Sequence, residues 1–356
     1  MENVLDIKIR QLRIVNYKGI DELELEFPMP VMADDPDIMV MGSRNGVGKT
    51  SVLECCALLL IALGSHEIEI PRRHRSKTNI LEMMIRSGES QAKIEGKVFV
   101  NDVEIALGVT IHKSEGIELS TSQQIPELQK YLARDSKDEM DIFEEFISIA
   151  SGKNPNPLLF ESVLYFHGYR KVQEGNQELD MIVTARRFVY RYGYKAPISA
   201  FKITILRALM SRAQLFETLN DENSGDVLRK LNELVQRYAG GTIQKLRPSE
   251  DNTIEFRIQP DDDSPSFTFD GLSSGQKEII STLFLIWYHT RDRSCVVLID
   301  EPELHMNPEW HRAFIGQLNL LAPQNQYIIA THSEDVFASV EKDRRLLIHD
   351  SIRSKA

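Results

Sequence analysis

The chain opens on alternating apolar and polar residues. Over residues 6–16, Ile7, Ile9, Leu12 and Ile14 recur at near two-residue spacing, which predicts a strand at an exposed sheet edge. Asn16-Tyr17-Lys18-Gly19-Ile20 predicts a turn, and Leu23-Glu24-Leu25-Glu26-Phe27 alternates again. The acidic Ala33-Asp34-Asp35-Pro36-Asp37 reads as a loop. Ile38 to Met41 is then a continuous apolar run, the pattern of a buried strand, and a strongly apolar helix is expected from Ser51 to about Leu63. The first forty residues thus predict a small strand layer feeding a buried strand.

Alternation returns from Ala92 to Leu119, where Lys97-Val98-Phe99-Val100, a turn at Asn101-Asp102 and Val103 to Leu107 predict a hairpin. Residues 125–150 are acidic and helical in period, Pro155-Asn156-Pro157 breaks that pattern, and Val163 to Phe166 predicts another buried strand. Ala200 to Leu219 and Gly225 to Tyr238 predict two helices joined by a turn over Asn220 to Ser224. Thr253 to Ile258 reads as a strand. Neither an internal repeat nor a low-complexity linker divides the chain. The expected organisation is an N-terminal lobe over 1–120, a mainly helical insertion or lid over 121–245, and a C-terminal lobe over 246–356.

Between the Ile38–Met41 run and the helix lies Gly42-Ser43-Arg44-Asn45-Gly46-Val47-Gly48-Lys49-Thr50-Ser51. Strand, glycine-containing loop and helix in that order make a phosphate-binding P-loop. Successive backbone N–H groups would cradle phosphates, and the helix adds the positive end of its dipole. Gly46 and Gly48 permit close backbone approach, Lys49 can reach the β- and γ-phosphates, and the Thr50 hydroxyl can ligate Mg²⁺. The usual G-x-x-x-x-G-K-[ST] pattern has glycine where this chain has Ser43, with Gly42 one residue earlier.

Composition narrows the setting. At 356 residues, with 42% hydrophobic and 27% charged, the chain has the balance of a soluble globular protein with an ample core. The longest apolar run, Cys55 to Leu63, is far shorter than the roughly 20 residues needed to span a bilayer. Met-Glu-Asn-Val-Leu-Asp lacks the features of a secretory signal. Three cysteines, two of them adjacent in the apolar helix, predict reduced, buried thiols and a cytoplasmic setting without a membrane partner. A net charge of −11 argues against a basic surface throughout, while leaving room for a local nucleic-acid contact. The one dense basic cluster is Arg72-Arg73-His74-Arg75 with Lys77, which reads first as a solvated loop.

Three further motifs carry chemistry. Val296-Val297-Leu298-Ile299-Asp300-Glu301 has the pattern of a buried parallel strand with acids at its C-terminal end, where α/β folds place ligands. Asp300 suits Mg²⁺ held through water, and Glu301 suits polarisation of an attacking water. Gly271-Leu272-Ser273-Ser274-Gly275-Gln276-Lys277 precedes a helical stretch from Glu278 to His289 and offers a second phosphate-binding helix start, or simply a capped helix. Ala330-Thr331-His332-Ser333 follows the apolar Tyr327-Ile328-Ile329, so His332 falls at a strand's C-terminal end, in reach of a γ-phosphate.

In this order the motifs resemble the ABC-type ATPase heads of the RecF, SMC and overcoming-lysogenisation-defect group, including its stand-alone AAA_21/AAA_15-type members. Ser43 to Thr50 match Walker A with the exception at Ser43. Leu272 to Gln276 match the Leu-Ser-Gly-Gly-Gln signature with Ser274 at its third position. Val296 to Glu301 match Walker B, followed by Pro302-Glu303-Leu304-His305, and His332 matches the switch histidine. The resemblance covers residues 5–55 and 268–350 well and the middle in outline. It implies an α/β fold: an ABC-type P-loop NTPase head with a mixed β-sheet, an N-terminal antiparallel strand layer and a helical insertion. It also implies an ATPase using ATP and Mg²⁺. Its heads would pair head to tail, each ATP lying between one P-loop and the partner's Ser273 and Gly275. The glutamine-bearing loop of such heads would fall in His167-Gly168-Tyr169-Arg170-Lys171-Val172-Gln173. Gln173 is thus a metal-site candidate, and Arg170 a candidate phosphate or partner contact.

The region between Walker A and the signature is too short for long coiled coils and shows no heptads. With 24 residues after His332, no appended nuclease domain is expected. The leading expectation is therefore a homodimeric or higher-order ATPase controlling a separate effector protein such as a nuclease, in prokaryotic defence against phage or plasmids. The alternative is a RecF-like DNA-binding ATPase of recombination or repair.

Overall fold

A computed structural model describes residues 6–30, 32, 35–42, 48–64, 79–114, 116–123, 139–175, 177–178, 199–212, 224–243, 247–248, 253–262 and 264–348. The basic cluster at 72–77, the acidic stretch before 139, the 220–223 turn and P-loop residues 43–47 lie outside the described residues.

Strands β1 (Ile7–Tyr17) and β2 (Ile20–Glu26) pair antiparallel through the turn Lys18-Gly19. β3 (Asp37–Gly42) is buried along its whole length and leads to helix α1 (Lys49–Gly64). A short helix, α2 (Asn79–Met84), precedes the hairpin of β4 (Gln91–Val100) and β5 (Val103–His112). Its two turn residues, Asn101 and Asp102, both have positive φ, the geometry that matches strand twist in a two-residue hairpin. With β6 (Gly116–Thr121) these strands form one antiparallel sheet ordered β2-β1-β4-β5-β6. The expected edge strand β1 is therefore interior, between β2 and β4. Alternation reports only that one face is buried, and an interior strand of a one-sided sheet shows it equally.

The remaining elements build the second layer. Helix α3 (Glu139–Ala150), β7 (Leu158–Leu159), β8 (Val163–Phe166) and β9 (Gln177–Glu178) come first. Helices α4 (Ala200–Arg212) and α5 (Ser224–Ala239) follow, then β10 (Gly241–Ile243), β11 (Arg247–Pro248), β12 (Thr253–Glu255), β13 (Arg257–Pro260) and β14 (Phe267–Thr268). The single strand expected over Thr253–Ile258 is interrupted at the buried Phe256. β12 pairs with β11 and β9, whereas β13 pairs with β10 and β14. The C-terminal part contributes α6 (Ser274–Thr290), β15 (Val296–Asp300), α7 (Pro308–Leu321), β16 (Gln326–Thr331), α8 (Glu334–Ala338) and β17 (Arg345–Leu347).

The main sheet is mixed, ordered β17-β3-β16-β15-β8-β7, parallel except where β7 meets β8. Its strands are apolar on both faces because both are covered. Val296, Leu298, Ile328 and Met39 face one core, which includes α1 and the antiparallel sheet. Val297, Ile299, Tyr327 and Ile38 face the other, with α4, α5 and α6. Helix α1 lies between the two sheets and is buried from Val52 to Leu63; it is apolar on nearly every side rather than amphipathic, and its one buried carboxylate, Glu54, is bonded to Tyr17 and Lys18. Among the described residues no helix is long and apolar enough to cross a membrane. Cys55, Cys56 and Cys295 are free and buried.

Candidate functional site

Three neighbouring parallel strands deliver the chemistry. Asp300 of β15 stands in register with Ala330 of β16, and Ala330 with Met41 of β3; Thr331 stands beside Gly42. The segments after these strands, carrying Lys49, Glu301 and His332, therefore leave the sheet at one edge, its C-terminal end. Gly48 enters helix α1 with φ +96°, and a Cβ there would approach Ile20 Cγ1 to 3.0 Å. Both the conformation and the contact call for glycine.

Thr50 Oγ1 donates to Asp300 Oδ2 at 2.8 Å. Lys49 Nζ lies 3.3 Å from His332 Nδ1, and His332 Nε2 lies 3.3 Å from Glu301 Oε1. Five of the predicted site residues thus pair off in two sets, Thr50 with Asp300 and Lys49 with His332 and Glu301. Glu301 has φ +48°, in a region that non-glycine residues seldom occupy. Its N–H still donates to Ala330 O at 2.8 Å, so the chain kinks immediately after the strand while remaining tied to β16. Strained backbone of this kind is characteristic of sites where a side chain must be aimed.

Burial sets the electrostatics. It lowers the pKa of the Lys49 ammonium, against the opposing influence of Asp300, Glu301 and Glu303. Burial also drives the Asp300 carboxyl from 3.8 up to about 6; the Thr50 hydrogen bond and Arg170 oppose this rise, and the Glu301 charge adds to it. Asp300 Oδ1 is buried and has no hydrogen-bond partner among the described residues. An orphaned carboxylate oxygen beside a threonine hydroxyl fits a hard cation. Thr50 and Asp300 would hold Mg²⁺, with phosphate oxygens and water supplying the other ligands.

The Asp300 shift yields a stability prediction. Its pKa is higher in the folded state, so its stabilising contribution is complete below about pH 4 and lost as pH rises through about 6. The difference corresponds to about 3 kcal/mol at neutral pH. Asp300→Asn is therefore expected to raise the melting temperature of the nucleotide-free protein at pH 7 and to flatten its decline between pH 4 and 6. A wild-type slope retained in that variant would assign the pH dependence to other groups.

Ser273 caps α6: its Oγ accepts from Gln276 N at 3.3 Å, while Gln276 Oε1 accepts from Ser273 N at 3.0 Å, a reciprocal capping box. Helix α6 therefore begins at Ser274, four residues before the helical stretch expected at Glu278. Gln276 Nε2 also donates to Tyr238 O, clasping the end of α5. Ser273 and Ser274 are exposed, whereas Gly275 is buried: a Cβ there would lie 2.1 Å from His305 O. Gly275 is thus required by packing within the chain, against the loop that follows Glu301. Nothing in the local pattern of Leu272 to Lys277 signals that contact, since His305 lies 30 residues away.

Of the 167–173 stretch, the residues that reach the acids are Gly168 and Arg170. A Cβ on Gly168 would lie 3.4 Å from Asp300 Oδ2 and 3.6 Å from Glu301 Oε2. Arg170, buried, donates to Asp300 O at 2.8 Å and His167 O at 3.0 Å, and its Nε lies 3.6 Å from Glu278 of α6. These contacts tie the acid-bearing strand to α6. Gln173 makes a local bond from Nε2 to Lys171 O. Glu303 is the residue sequence reasoning left without a part: it accepts hydrogen bonds from Thr331 Oγ1, His332 N and Ser333 N. Ser43, Arg44, Asn45, Gly46 and Val47 lie outside the described residues; Ser51, of the same stretch, is buried in the first turn of α1.

Comparison with known proteins gives the family and the fold. The AAA_21 family model, described as "AAA domain, putative AbiEii toxin, Type IV TA system", matches residues 44–338. The "Retron Ec83 probable ATPase" of Escherichia coli is 20% identical over 422 residues, covering 98% of this chain and 73% of that protein. The "Retron Vc95 probable ATPase" of Vibrio cholerae serotype O1 biovar El Tor is 34% identical over 55 residues, 15% of this chain and 11% of that one. Among solved structures, an SMC head bound to the C-terminal winged-helix domain of ScpA superimposes with a TM-score of 0.53 at 12% identity, covering 93% of this chain and 91% of that one. An SMC head with an extended coiled coil, bound to the C-terminal domain of ScpA derived from Pyrococcus furiosus, gives 0.51 at 11%, covering 94% and 92%. At these identities the structural likeness shows the fold: an SMC-head-type P-loop NTPase. The chain belongs to the AAA_21 family.

Proposed function

We propose that this protein binds and hydrolyses ATP with Mg²⁺, that ATP joins two copies head to tail, and that the ATP-dependent dimer controls a separate effector, a nuclease by our reading, in prokaryotic anti-phage or anti-plasmid defence. The observation that carries the chemistry is the convergence of Lys49, Thr50, Asp300, Glu301 and His332 at the end of three adjacent strands. The defence setting is supported by similarity, over 98% of this chain and 73% of the other, to a protein named as a retron probable ATPase.

Lys49 and the α1 N-terminus would bind the β- and γ-phosphates and offset the charge that develops there. When bound, Mg²⁺ would supply charge neutralisation at the phosphate oxygens. Glu301 would orient the attacking water and accept its proton at a carboxylate oxygen. His332, between Lys49 and Glu301, would report the γ-phosphate to both. Exposed Ser273 and Ser274 would face a partner copy's phosphates across the dimer. Loss of the γ-phosphate removes that contact, so hydrolysis becomes separation.

Phosphate release tests the defence reading against the DNA-clamp alternative. Turnover of the full chain is expected to change less than about two-fold on adding duplex DNA. A DNA requirement that collapses between 50 and 200 mM salt, as phosphate contacts do, would move the assignment to recombination or repair.

A further inference from the structure

Glu303 sits in a loop whose backbone is fixed on both sides. Glu301 and His305 flank it with φ of +48° and +64°. Leu304 N donates to Glu301 O at 3.2 Å, and Met306 N to Glu303 O at 3.0 Å. From this platform Glu303 reaches across to the segment after β16. Its Oε1 accepts from His332 N at 2.7 Å and Ser333 N at 3.2 Å, and its Oε2 accepts from Thr331 Oγ1 at 2.8 Å. Thr331 Oγ1 in turn accepts from Ser333 N at 2.9 Å. One carboxylate therefore engages three consecutive residues centred on His332. Charge-assisted bonds of this type are shorter and stronger than neutral ones.

We infer that Glu303 is the positioning residue for His332, holding the switch-segment backbone so that the imidazole spans Lys49 and Glu301. This rests on the ATPase reading above. Glu303 touches none of the reacting groups by hydrogen bond; it acts by fixing where the histidine stands. The His332 ring has only two rotatable side-chain bonds, so its reach to both partners is set largely by the backbone that Glu303 grips. The same loop presents His305 O to Gly275, which places the switch histidine and the signature helix on one common support.

A competing role exists for the same carboxylate, because the Glu303 charge also acts on Lys49. Two conservative substitutions separate them. Glu303→Gln keeps length and a carbonyl acceptor for the His332 and Ser333 amides but removes the charge. Glu303→Asp keeps the charge but withdraws it by one methylene. Positioning predicts that Glu303→Gln keeps at least about a third of wild-type kcat, whereas Glu303→Asp and Glu303→Ala lose about ten-fold or more, toward the roughly 10²-fold that a misplacement of about 1 Å can cost. Affinity for a fluorescent ATP analogue should stay within about two-fold in all three. In a His332→Ala background, Glu303→Asp should add little, because residues acting through one another are not additive.

High kcat in Glu303→Asp with low kcat in Glu303→Gln would overturn the inference in favour of a charge effect at Lys49. Losses that simply add in the double variant would overturn it as well. Amide hydrogen exchange of residues 331–333 supplies a readout free of activity: faster in Glu303→Asp than in wild type or Glu303→Gln if Glu303 grips this segment, unchanged if it does not. Should the wild type show no Glu301-dependent turnover, the ATPase reading fails and exchange alone decides whether Glu303 holds the segment. Should Glu303→Ala fail to fold, the Gln and Asp variants still decide.

Discussion

Replacing Glu301 with glutamine is expected to slow ATP turnover by about 10²- to 10⁴-fold, the span of a lost general base, while ATP affinity stays within about two-fold. The side chain keeps its size, so the kink at φ +48° and the N–H bond to Ala330 O survive. Glutamine can still hydrogen-bond His332 but cannot accept a proton at neutral pH. On the proposed reading, binding would rest on other groups: Lys49, the start of α1, and the Thr50–Asp300 pair. Steady-state phosphate release and equilibrium nucleotide binding, measured on the same preparation, separate the two effects. A variant that hydrolyses ATP at the wild-type rate would assign the base elsewhere. One that fails to bind would make Glu301 part of the nucleotide pocket.

The convergence of Lys49, Thr50, Asp300, Glu301 and His332 was largely legible because each contributing strand announces itself. Four apolar residues in a row ending in Asp300-Glu301, three ending near His332, and Ile38 to Met41 ending at the P-loop are the pattern of buried parallel strands, and the acidic and glycine-rich residues that bound the first and last separate them from helix segments. In such a sheet the C-terminal strand ends lie together, so the order of motifs along the chain translates directly into a cluster. Helix α1 was legible for a related reason: a helix apolar on nearly every side must be enclosed.

What escaped the sequence depends on contacts between residues far apart whose types are individually unremarkable. Glu303 looks like a solvent-facing acid after a strand, yet its partners are a hydroxyl and two backbone amides 28 to 30 residues downstream. Backbone donors carry no residue signature. Gly275 reads as a phosphate-approach glycine, while its tightest neighbour is the His305 carbonyl of the same chain. Gln276 reads as part of a nucleotide-binding signature, but its side chain caps α6 and clasps Tyr238 O. Arg170 has the look of a phosphate ligand and is instead buried against Asp300 O and Glu278. The break at Phe256 was invisible because apolar alternation continues straight through the point where the chain changes sheets.

The central claim is that ATP joins two of these chains through the P-loop of one and the α6 N-terminus of the other. The geometry dictates how to interrupt that contact. Ser273 is a poor target because its hydroxyl caps α6, and losing such a cap costs about 1 kcal/mol on its own. Gly275 is poor because any side chain strikes His305 O. Ser274 is exposed at the first position of the helix, so Ser274→Arg alters the outer surface while leaving cap and packing in place. The decisive measurement is the mass of Glu301→Gln protein by light scattering, with and without ATP and Mg²⁺. The account predicts that ATP doubles the mass and that adding Ser274→Arg abolishes the increase without loss of ATP binding. A mass that ATP leaves unchanged in the ATP-binding Glu301→Gln protein would contradict it.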